Sequence, residues 1–385
     1  MTTSVRRTPA LVLSIALAAG AAASPATAAV APVWDHPGYD AEDSHYNPAE
    51  DVINAGSIRR VAKKWQVKLR SSDTSCSGYS APLLSGGRVV TSDQLGVSAY
   101  TADTGRLLWR HDWDDPGDNG TPRIGITGGL VILANNGCNS QSDPDGQLTA
   151  LDLRSGLVRW RQRMDIPVHD TTVDKGVIVV SGGSPSDEDE VVAFSARDGR
   201  TLWSKPRHLS SGVSANGTIL MRKTDGSEVE QGESAGVDVV SGRVRWTRKA
   251  DWTAEAADPD GTRFYVTDEK TTGLSTVRVA DGQPGWTVPG LDRSPIAVDG
   301  NRIYRVFDQG IETFRVTDGK RLWSVRSTTA GTAQPIRAGG LLYSGGQVRK
   351  AADGTVAGPA YHGSIIVAGG RIHQVSEGTL TAYAP

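Results

Sequence analysis

Short alternating runs of apolar and polar residues, separated by turns that contain glycine, recur along most of the chain. An eleven-residue string that begins with a small residue, has glycine at position seven and ends in tryptophan occurs six times. A seventh copy keeps Gly354 but has Gly358 in place of the tryptophan. Self-similarity at intervals of about 40 residues is typical of repeated structural units. The six complete strings end at Trp109, Trp160, Trp203, Trp246, Trp286 and Trp323.

Each string is preceded by two further apolar runs that are joined by glycine. In the first unit, Leu83–Leu84 and Val89–Val90 lie on either side of Gly86 and Gly87. Such short, partly β-branched runs bounded by turn residues are typical of strands. The string itself adds two strands around its glycine, which adopts positive φ without a Cβ clash. Each unit therefore predicts a four-stranded antiparallel sheet, and we find no convincing amphipathic helix in the mature chain.

The number of units predicts a closed ring. Residues 365–383 supply three strands of an eighth unit, and Lys63–Val67 is a lone strand bearing Trp65. We predict that this N-terminal strand completes the last unit, which leaves only short, protected sheet edges. The expected fold is an all-β, eight-bladed β-propeller over residues 51–385, preceded by a lead-in at 29–50. Residues 50–385 allow about 42 residues for each blade.

The tryptophans divide into two groups. Trp65 and the six tryptophans of the repeat are interpreted as docking residues that pack flat against the next blade and donate the indole N–H to its backbone. Trp34, Trp113 and Trp252 fall outside the pattern. These three are the better candidates for surface roles, such as stacking against a sugar.

The N-terminal segment predicts export. Arg6 and Arg7 precede an apolar, alanine-rich stretch at 11–23, and Ala26-Thr27-Ala28 places small residues at a cleavage site. We interpret residues 1–28 as a signal peptide cleaved near Ala28, and the mature protein as secreted. The apolar stretch is too short to cross a bilayer, so we expect no membrane span.

Charge and cysteine content narrow the function classes. The 41 basic and 43 acidic residues give a net charge of −2, which disfavours nucleic acid as a partner. Two cysteines in an exported chain favour one disulfide. Cys76 precedes the first blade, and Cys138 follows the second strand of the next blade, so the topology puts both on one face. We predict a Cys76–Cys138 bond that fixes long loops.

The tryptophan string resembles the docking motif of the pyrroloquinoline quinone (PQQ) repeat family, the eight-bladed quinoprotein propellers. The resemblance covers residues 34–385 and implies the fold, whereas the family includes both dehydrogenases and non-catalytic scaffolds. Its quinone-binding members carry adjacent cysteines, a glutamate where this chain has Tyr79, and a calcium shell. Cys76 and Cys138 are not adjacent, no C-x-x-C-H haem segment occurs, and we can align no calcium shell. PQQ with calcium is therefore disfavoured, and we expect no cofactor.

Other candidate chemistry is sparse. His169 with Asp170 is a candidate dyad facing the axial channel, although a structural loop histidine is the favoured interpretation. The run Asp187–Glu190 is a candidate cation site, but a solvated loop explains it better. The piece Asp143–Gly146 resembles a calcium loop without the closing glutamate. No residue is assigned a catalytic or metal-binding role.

These observations favour a binding protein over an enzyme. The leading hypothesis is a secreted, non-enzymatic, monomeric scaffold that binds a protein or a surface glycan through its loop-rich face. Two alternatives stay open: a PQQ-dependent dehydrogenase with an altered pocket, and a carbohydrate-binding propeller that uses Trp113 or Trp252. The long insertions expected on that face are 110–121, 134–147, 181–190 and 222–235.

Overall fold

Eight separate sheets account for the strands of this protein, as seen in a computed structural model. The all-β, eight-bladed prediction is confirmed. Among the described residues, helix is limited to two 3-10 turns, Ile58–Arg60 and Pro116–Asp118. No helix in this part of the chain has the length and apolar character needed to cross a bilayer. The predicted signal peptide falls almost wholly outside the described residues. The structure describes residues 1–2, 33–140, 142–224, 232–268, 272–291, 293–307, 310–326, 333–344 and 346–385.

The first part of the chain forms two N-terminal strands and blades 1 to 4. The N-terminal strands are β1 (Tyr46–Asn47) and β2 (Ala62–Lys68). Blade 1 contains β3 (Leu83–Ser85), β4 (Arg88–Asp93), β5 (Gly96–Thr101) and β6 (Leu107–Asp112). Blade 2 contains β7 (Arg123–Thr127), β8 (Leu130–Asn136), β9 (Gly146–Asp152) and β10 (Val158–Met164). Blade 3 contains β11 (Asp170–Asp174), β12 (Val177–Gly182), β13 (Glu190–Ser195) and β14 (Thr201–Pro206). Blade 4 contains β15 (His208–Ala215), β16 (Thr218–Lys223), β17 (Glu233–Asp238) and β18 (Val244–Lys249).

The second part of the chain forms blades 5 to 8. Blade 5 contains β19 (Trp252–Ala257), β20 (Arg263–Asp268), β21 (Gly273–Arg278) and β22 (Pro284–Pro289). Blade 6 contains β23 (Ile296–Val298), β24 (Arg302–Phe307), β25 (Gly310–Arg315) and β26 (Arg321–Arg326). Blade 7 contains β27 (Ile336–Ala338), β28 (Leu341–Tyr343), β29 (Gln347–Lys350) and β30 (Val356–Ala360). Blade 8 contains β31 (Ser364–Ala368), β32 (Arg371–Ser376) and β33 (Thr379–Ala384).

The N-terminal strand closes the ring as predicted. Blade 8 has the order β2-β33-β32-β31, so β2 is its outer strand. The pairing is antiparallel, with Lys63 opposite Tyr383 and Trp65 opposite Ala382. The strand that follows the lead-in and the last strand of the chain are therefore paired in one sheet.

Seven blade-to-blade contacts repeat one tryptophan geometry. At Trp203, the indole N–H donates to the Val239 carbonyl of the next blade at 3.0 Å. The neighbouring Gly242 has φ +68°, and a Cβ there would lie 2.6 Å from the indole. The glycine thus serves both the turn and the close approach of the ring. The seven indole N–H donors and their carbonyl acceptors, 2.8 to 3.3 Å apart, are Trp65–Ala102, Trp109–Leu153, Trp160–Ala196, Trp203–Val239, Trp246–Val279, Trp286–Val316 and Trp323–Ala351.

Blade 7 has no tryptophan, and a residue from the N-terminal segment fills the space. Ile58, in the first 3-10 turn, is fully buried. A Cβ at Gly358 would lie 2.5 Å from its side chain. Arg59 Nε also donates to the Ala357 carbonyl at 3.2 Å. Ile58 therefore packs against Gly358, where the other repeats have a tryptophan.

The lead-in follows the inner edge of the ring and contacts the innermost strand of every blade. These strands are sheet edges whose polar backbone groups need partners. Trp34 is fully buried and bridges Leu84 of blade 1, so the surface role expected for Trp34 is wrong. The hydrogen-bonded pairs, in blade order, are Trp34–Leu84, Asp35–Ile126, His36–Val173, Ala41–Ser214, Glu42–Ala257, Ser44–Val298, His45–Arg337 and Asn47–Val367.

Candidate functional site

The two faces of the ring carry different kinds of loop. The loops that join successive blades and those that join second to third strands emerge together, and we call this side the upper face. The remaining hairpin turns form the lower face. The longest loops on the upper face, in blades 1 to 3, are 69–82, 113–122, 137–145 and 183–189, of which residue 141 lies outside the described residues. We call these four segments the loop platform.

The platform coincides with three of the four expected insertions, 110–121, 134–147 and 181–190. The fourth, 222–235, spans the connection from β16 to β17, and residues 225–231 of it lie outside the described residues.

Covalent and hydrogen bonds connect the platform loops. The predicted disulfide is present, with Cys76 and Cys138 joined and their Cα atoms 6.6 Å apart. Cys76 N–H donates to the Pro116 carbonyl at 3.2 Å. Asp118 Oδ1 accepts from the main-chain N–H of Cys138 at 2.7 Å and of Asn139 at 2.8 Å. The first three loops therefore form one connected surface.

The fourth loop joins the platform through serine. Ser186 Oγ donates to Asp143 Oδ1 at 2.8 Å. The candidate calcium loop and the candidate cation run Asp187–Glu190 are thus neighbours. Among the described residues, no three His, Cys, Asp or Glu side chains are placed to hold a metal ion. Glu188 instead lies 3.9 Å from Arg207.

The platform is acidic. Apart from Arg70, which lies 2.9 Å from Asp93, the platform segments 69–82, 113–122, 137–145 and 183–189 and the adjoining Glu190 contain no lysine or arginine. Arg161 reaches in from β10 and lies 2.9 Å from Asp114. Since the whole chain has a net charge of only −2, most of the basic residues that balance these carboxylates lie outside the platform segments. The acidic residues of these segments are Asp73, Asp114, Asp115, Asp118, Asp143, Asp145, Asp187, Glu188, Asp189 and Glu190.

A cavity of about 140 Å³ lies beside the platform at the mouth of the axial channel. It is lined by the first residues of the inner strands of blades 3, 4 and 5. The sequence singled out His169, Asp170 and Trp252 separately, and the structure brings them together here. Sequence reasoning missed Arg222 and Arg293, which line the same cavity. Arg293 lies just before a first strand, as His169 does, and that shared position was the available signal.

The charged groups of the channel mouth form ion pairs rather than a catalytic dyad. Asp170 lies 3.3 Å from Arg123, and Arg293 lies 3.7 Å from Glu255. Burial raises the pKa of the Asp170 and Glu255 carboxyls above their usual range. His169 is exposed, and its main-chain N–H donates to the Ser181 carbonyl. The mouth therefore combines an aromatic surface with charges of both signs, which suits binding.

A second cavity of about 110 Å³ shares Asp170 with the first and is lined by the lead-in. Burial raises the pKa of Asp40 to about 6 and that of nearby Glu42 to about 7. Burial acts to lower the pKa of His36, but the hydrogen bond that its Nδ1 donates to the Asp35 carboxylate at 2.7 Å, the negative charge of Asp35 and the bond to the Val173 carbonyl together outweigh burial, and the net shift is upward. The lead-in thus brings partly buried carboxyl groups to this second cavity.

The residues present do not fit PQQ with calcium. Cys76 is bonded to a cysteine 62 positions away rather than to an adjacent one. Tyr79, at the family's glutamate position, packs against blade 8, where a Cβ on Gly378 would lie 2.8 Å from its hydroxyl. A tyrosine does not replace a carboxylate as a calcium ligand. The described part of the chain also offers no cluster of acidic side chains for the ion.

The remaining tryptophans differ in exposure. Trp113 is 8% exposed at the start of a platform loop, with the His111 ring edge-on at 6.2 Å. It presents no free face, so the sugar-stacking role expected for Trp113 is wrong. Trp252 is half-buried in the channel mouth and keeps that candidate role.

The comparison with protein families identifies the repeat. The family model for outer membrane protein assembly factor BamB matches residues 61–139, 93–256 and 230–358. The chain belongs to this BamB family. The expected PQQ-repeat propeller is thereby confirmed.

Individual relatives match only part of their length. BamB of Yersinia pestis is 30% identical over 179 residues, which is 43% of this chain and 42% of that protein. BamB of Escherichia coli (strain K12) is 31% identical over 174 residues, 42% of this chain and 41% of that protein. The chain thus matches less than half the length of either relative. The dehydrogenase subunit of a quinone alcohol dehydrogenase from Gluconacetobacter polyoxogenes is 29% identical over 49% of this chain and 28% of that protein.

Solved structures agree on the fold. BamB from Moraxella catarrhalis superposes with a TM-score of 0.60 at 16% identity, covering 84% of this chain and 98% of that one. Quinohemoprotein alcohol dehydrogenase from Comamonas testosteroni gives a TM-score of 0.67 at 13% identity, covering 91% and 80%. BamB and an alcohol dehydrogenase therefore share the ring, so activity must be argued from the side chains.

Proposed function

We propose that this protein is an exported, non-enzymatic scaffold that binds another protein through its upper face. The observation that carries the proposal is the loop platform. Variable loops held rigidly on a closed ring are a usual place for recognition, because little ordering entropy is lost on binding. The disulfide and the bonds of Asp118 provide that rigidity.

Family membership supports a scaffold over an enzyme. The relatives are described as outer membrane protein assembly factors, which is a role in assembly rather than in catalysis. The channel mouth lacks the groups that PQQ and calcium would need. Export, with cleavage near Ala28, is part of the proposal and is supported by the basic and apolar N-terminal sequence and by the disulfide.

The acidic platform sets the chemistry of the partner. Exposed carboxylates that outnumber the neighbouring arginines attract a basic surface and speed its association. Asp73 and Asp145 are exposed and carry no ion pair among the described residues. We expect binding that weakens as the salt concentration rises.

The test uses a triple charge reversal, Asp73→Lys, Asp145→Lys and Glu188→Lys. Its matched control keeps the charge with Asp73→Glu, Asp145→Glu and Glu188→Asp. Surface proteins of the secreting cell are passed over immobilised wild type and both variants, and retained proteins are identified by mass spectrometry. A protein kept by wild type and control but lost with the reversed variant supports the proposal. Equal retention on all three, or alcohol-dependent dye reduction after loading with PQQ and calcium, would overturn it.

Carbohydrate binding at the channel mouth is the second candidate function. The half-buried Trp252 offers an aromatic surface, and His169, Asp170 and Arg222 supply polar groups around it. A Trp252→Ala variant tested on a glycan array measures this directly. Loss of a glycan signal that wild type shows would favour the second candidate, and the absence of any wild-type signal would remove it.

A further inference from the structure

The lower face carries a groove between blades 2 and 3. It has a volume of about 770 Å³, compared with about 330 Å³ for a hollow lined by the lower-face turns of blade 5. The hairpin turns β7–β8 and β11–β12 form its floor, and the turns that follow β9 and β13 form its wall. We call it the lower groove, and it lies on the opposite face from the loop platform.

The floor of the groove is bare backbone. Gly128, Gly129 and Gly176 have φ values of +55°, +79° and +75°, as their turns require. A Cβ added at any of the three would meet nothing within 4 Å. The space above these glycines is therefore open, as it is above Gly87 and Gly340 in the corresponding turns of blades 1 and 7, in contrast to the docking glycines that face an indole.

Two arginines at one repeat position border the groove. Arg154 and Arg197 stand two residues before the turn glycine in blades 2 and 3, and both are exposed. Arginine occurs at this position only in the two blades that flank the groove. The other blades have Asp103, Val240, Ala280, Thr317 and Ala352 there.

The ion pair that recurs within the blades does not involve Arg154 or Arg197. Arg159, which also lines the groove, pairs with Asp152 at 2.6 Å. The same pair recurs in blade 4 as Arg245 and Asp238, so it belongs to the blade. By contrast, the guanidinium groups of Arg154 and Arg197 have no hydrogen bond or ion pair among the described residues, and Arg197 interacts only with the charge of the adjacent Asp198. They are available for an external anion.

The rest of the lining indicates what carries that anion. Leu130 is half-buried and gives the groove an apolar wall, which a bare phosphate would not use, whereas Leu153 and Ala196 beside it are buried. No aromatic side chain lines the groove among the described residues, so nothing there stacks on a sugar ring. An extended peptide with carboxylates on either side of an aliphatic side chain matches two arginines around an apolar wall.

We propose that the lower groove is a second recognition site, which binds an acidic, extended segment of a partner protein. Arg154 and Arg197 bind its carboxylates, and an aliphatic side chain lies against Leu130. This goes beyond the proposed function, because the site is on the other face and takes a partner of opposite charge.

Variants separate specific recognition from general charge attraction. The test variant is Arg154→Gln with Arg197→Gln. The matched control is Arg106→Gln with Arg243→Gln, which removes the same charge from exposed positions of blades 1 and 4 outside the groove. A second pair fills the floor, with Gly128→Asp as the test and Gly128→Asn as the control. Both should fold, because Lys175 and Asn216 occupy the equivalent turn position with φ of +50° and +47°.

The probe is a short fluorescent peptide in which glutamates flank leucines, with a glutamine version as its neutral counterpart, and binding is measured by fluorescence anisotropy. We expect the double arginine variant to weaken binding roughly tenfold, from two exposed charge contacts of a few-fold each. The arginine control should bind as wild type does, and Gly128→Asp should lose more affinity than Gly128→Asn. Unfolding midpoints close to that of wild type verify that all variants fold.

Three results would overturn the proposal. The first is no binding to wild type, and the second is equal weakening in test and control variants. The third is self-association in sedimentation velocity that the double arginine variant abolishes, which would assign the groove to a second copy of this chain.

Discussion

The contact of Trp203 with Gly242 provides a quantitative test of how the blades hold together. Replacing Trp203 with alanine removes an indole that fills the space between blades 3 and 4 and donates to Val239. We expect a loss of about 3–5 kcal/mol, as for other large-to-small changes of aromatic residues in cores. Since domains are usually stable by about 5–15 kcal/mol, one docking residue is a large share.

Gly242→Ala should be destabilising for two separate reasons. Its φ of +68° strains a residue with a Cβ, which costs about 1–3 kcal/mol. The added Cβ would also lie 2.6 Å from the indole, and overpacking costs about 1–3 kcal/mol. Gly87→Ala is the control, because Gly87 has φ +73° but open space around its Cβ position, so only the strain applies.

The double variant tests whether the two residues act through each other. Without the indole, the alanine at 242 has no ring to meet, so the overpacking cost disappears. The combined loss should therefore be smaller than the sum of the single losses by about 1–3 kcal/mol. Urea unfolding followed by circular dichroism gives all four stabilities. Additive losses, agreeing within about 0.5 kcal/mol, would refute the docking argument.

Three further predictions concern covalent and titrating groups. Cys76→Ser with Cys138→Ser should lower stability by about 2–4 kcal/mol, since the bond closes a loop of 62 residues; equal urea midpoints in oxidised and reduced wild type would contradict this. Burial lowers the pKa of His373 to about 4, so the unfolded chain takes up a proton first and stability falls by up to about 3 kcal/mol as pH drops from about 6.5 to 4. His373→Gln should flatten that fall in pH-dependent urea unfolding, and an unchanged slope would be evidence against a buried neutral histidine. Burial raises the pKa of Glu42 to about 7, so its contribution is present below about pH 4.5 and is lost as pH rises through 7. Glu42→Gln should therefore lose less stability than wild type between those pH values, and a steeper loss would contradict the assignment.

The ring could be predicted because its contacts demand fixed spacing. In each repeat, the turn glycine packs against the tryptophan of the preceding blade, and the tryptophan four residues later packs against the next blade. That requirement produces a repeat that can be read in the sequence. Since the eighth unit has three strands of its own, the strand around Trp65 was predicted to be its fourth, beside Tyr383. The disulfide followed from the same topology.

The lead-in could not be predicted in this way. Most of its contacts with the inner strands join backbone N–H to backbone carbonyl, which places little demand on side-chain type. The replacement of a tryptophan by Ile58 was hidden for a similar reason. Gly358 showed that an indole was missing, but its substitute lies some 300 positions away in sequence.

The candidate sites were predictable only in part. His169, Asp170 and Trp252 stood out one by one, whereas their meeting depends on three inner strands starting around one axis. Trp34 and Trp113 were misjudged because residues outside a repeat pattern were equated with surface residues. The proposal for the lower groove depends on Arg154 and Arg197, which occupy a repeat position where the other blades have no arginine. This difference could be interpreted only when the structure showed that the two turns are neighbours.

Every surface assigned to this protein depends on a single ring closed by β2. Hydrogen–deuterium exchange of the intact mature protein tests this most directly, because strands paired in a stable sheet exchange slowly. The amides of β2 that bond to β33 should exchange as slowly as those of β33 and β32. Rapid exchange throughout Ala62–Lys68, with β33 and β32 still protected, would mean that the ring is open and that the placement of both faces is wrong.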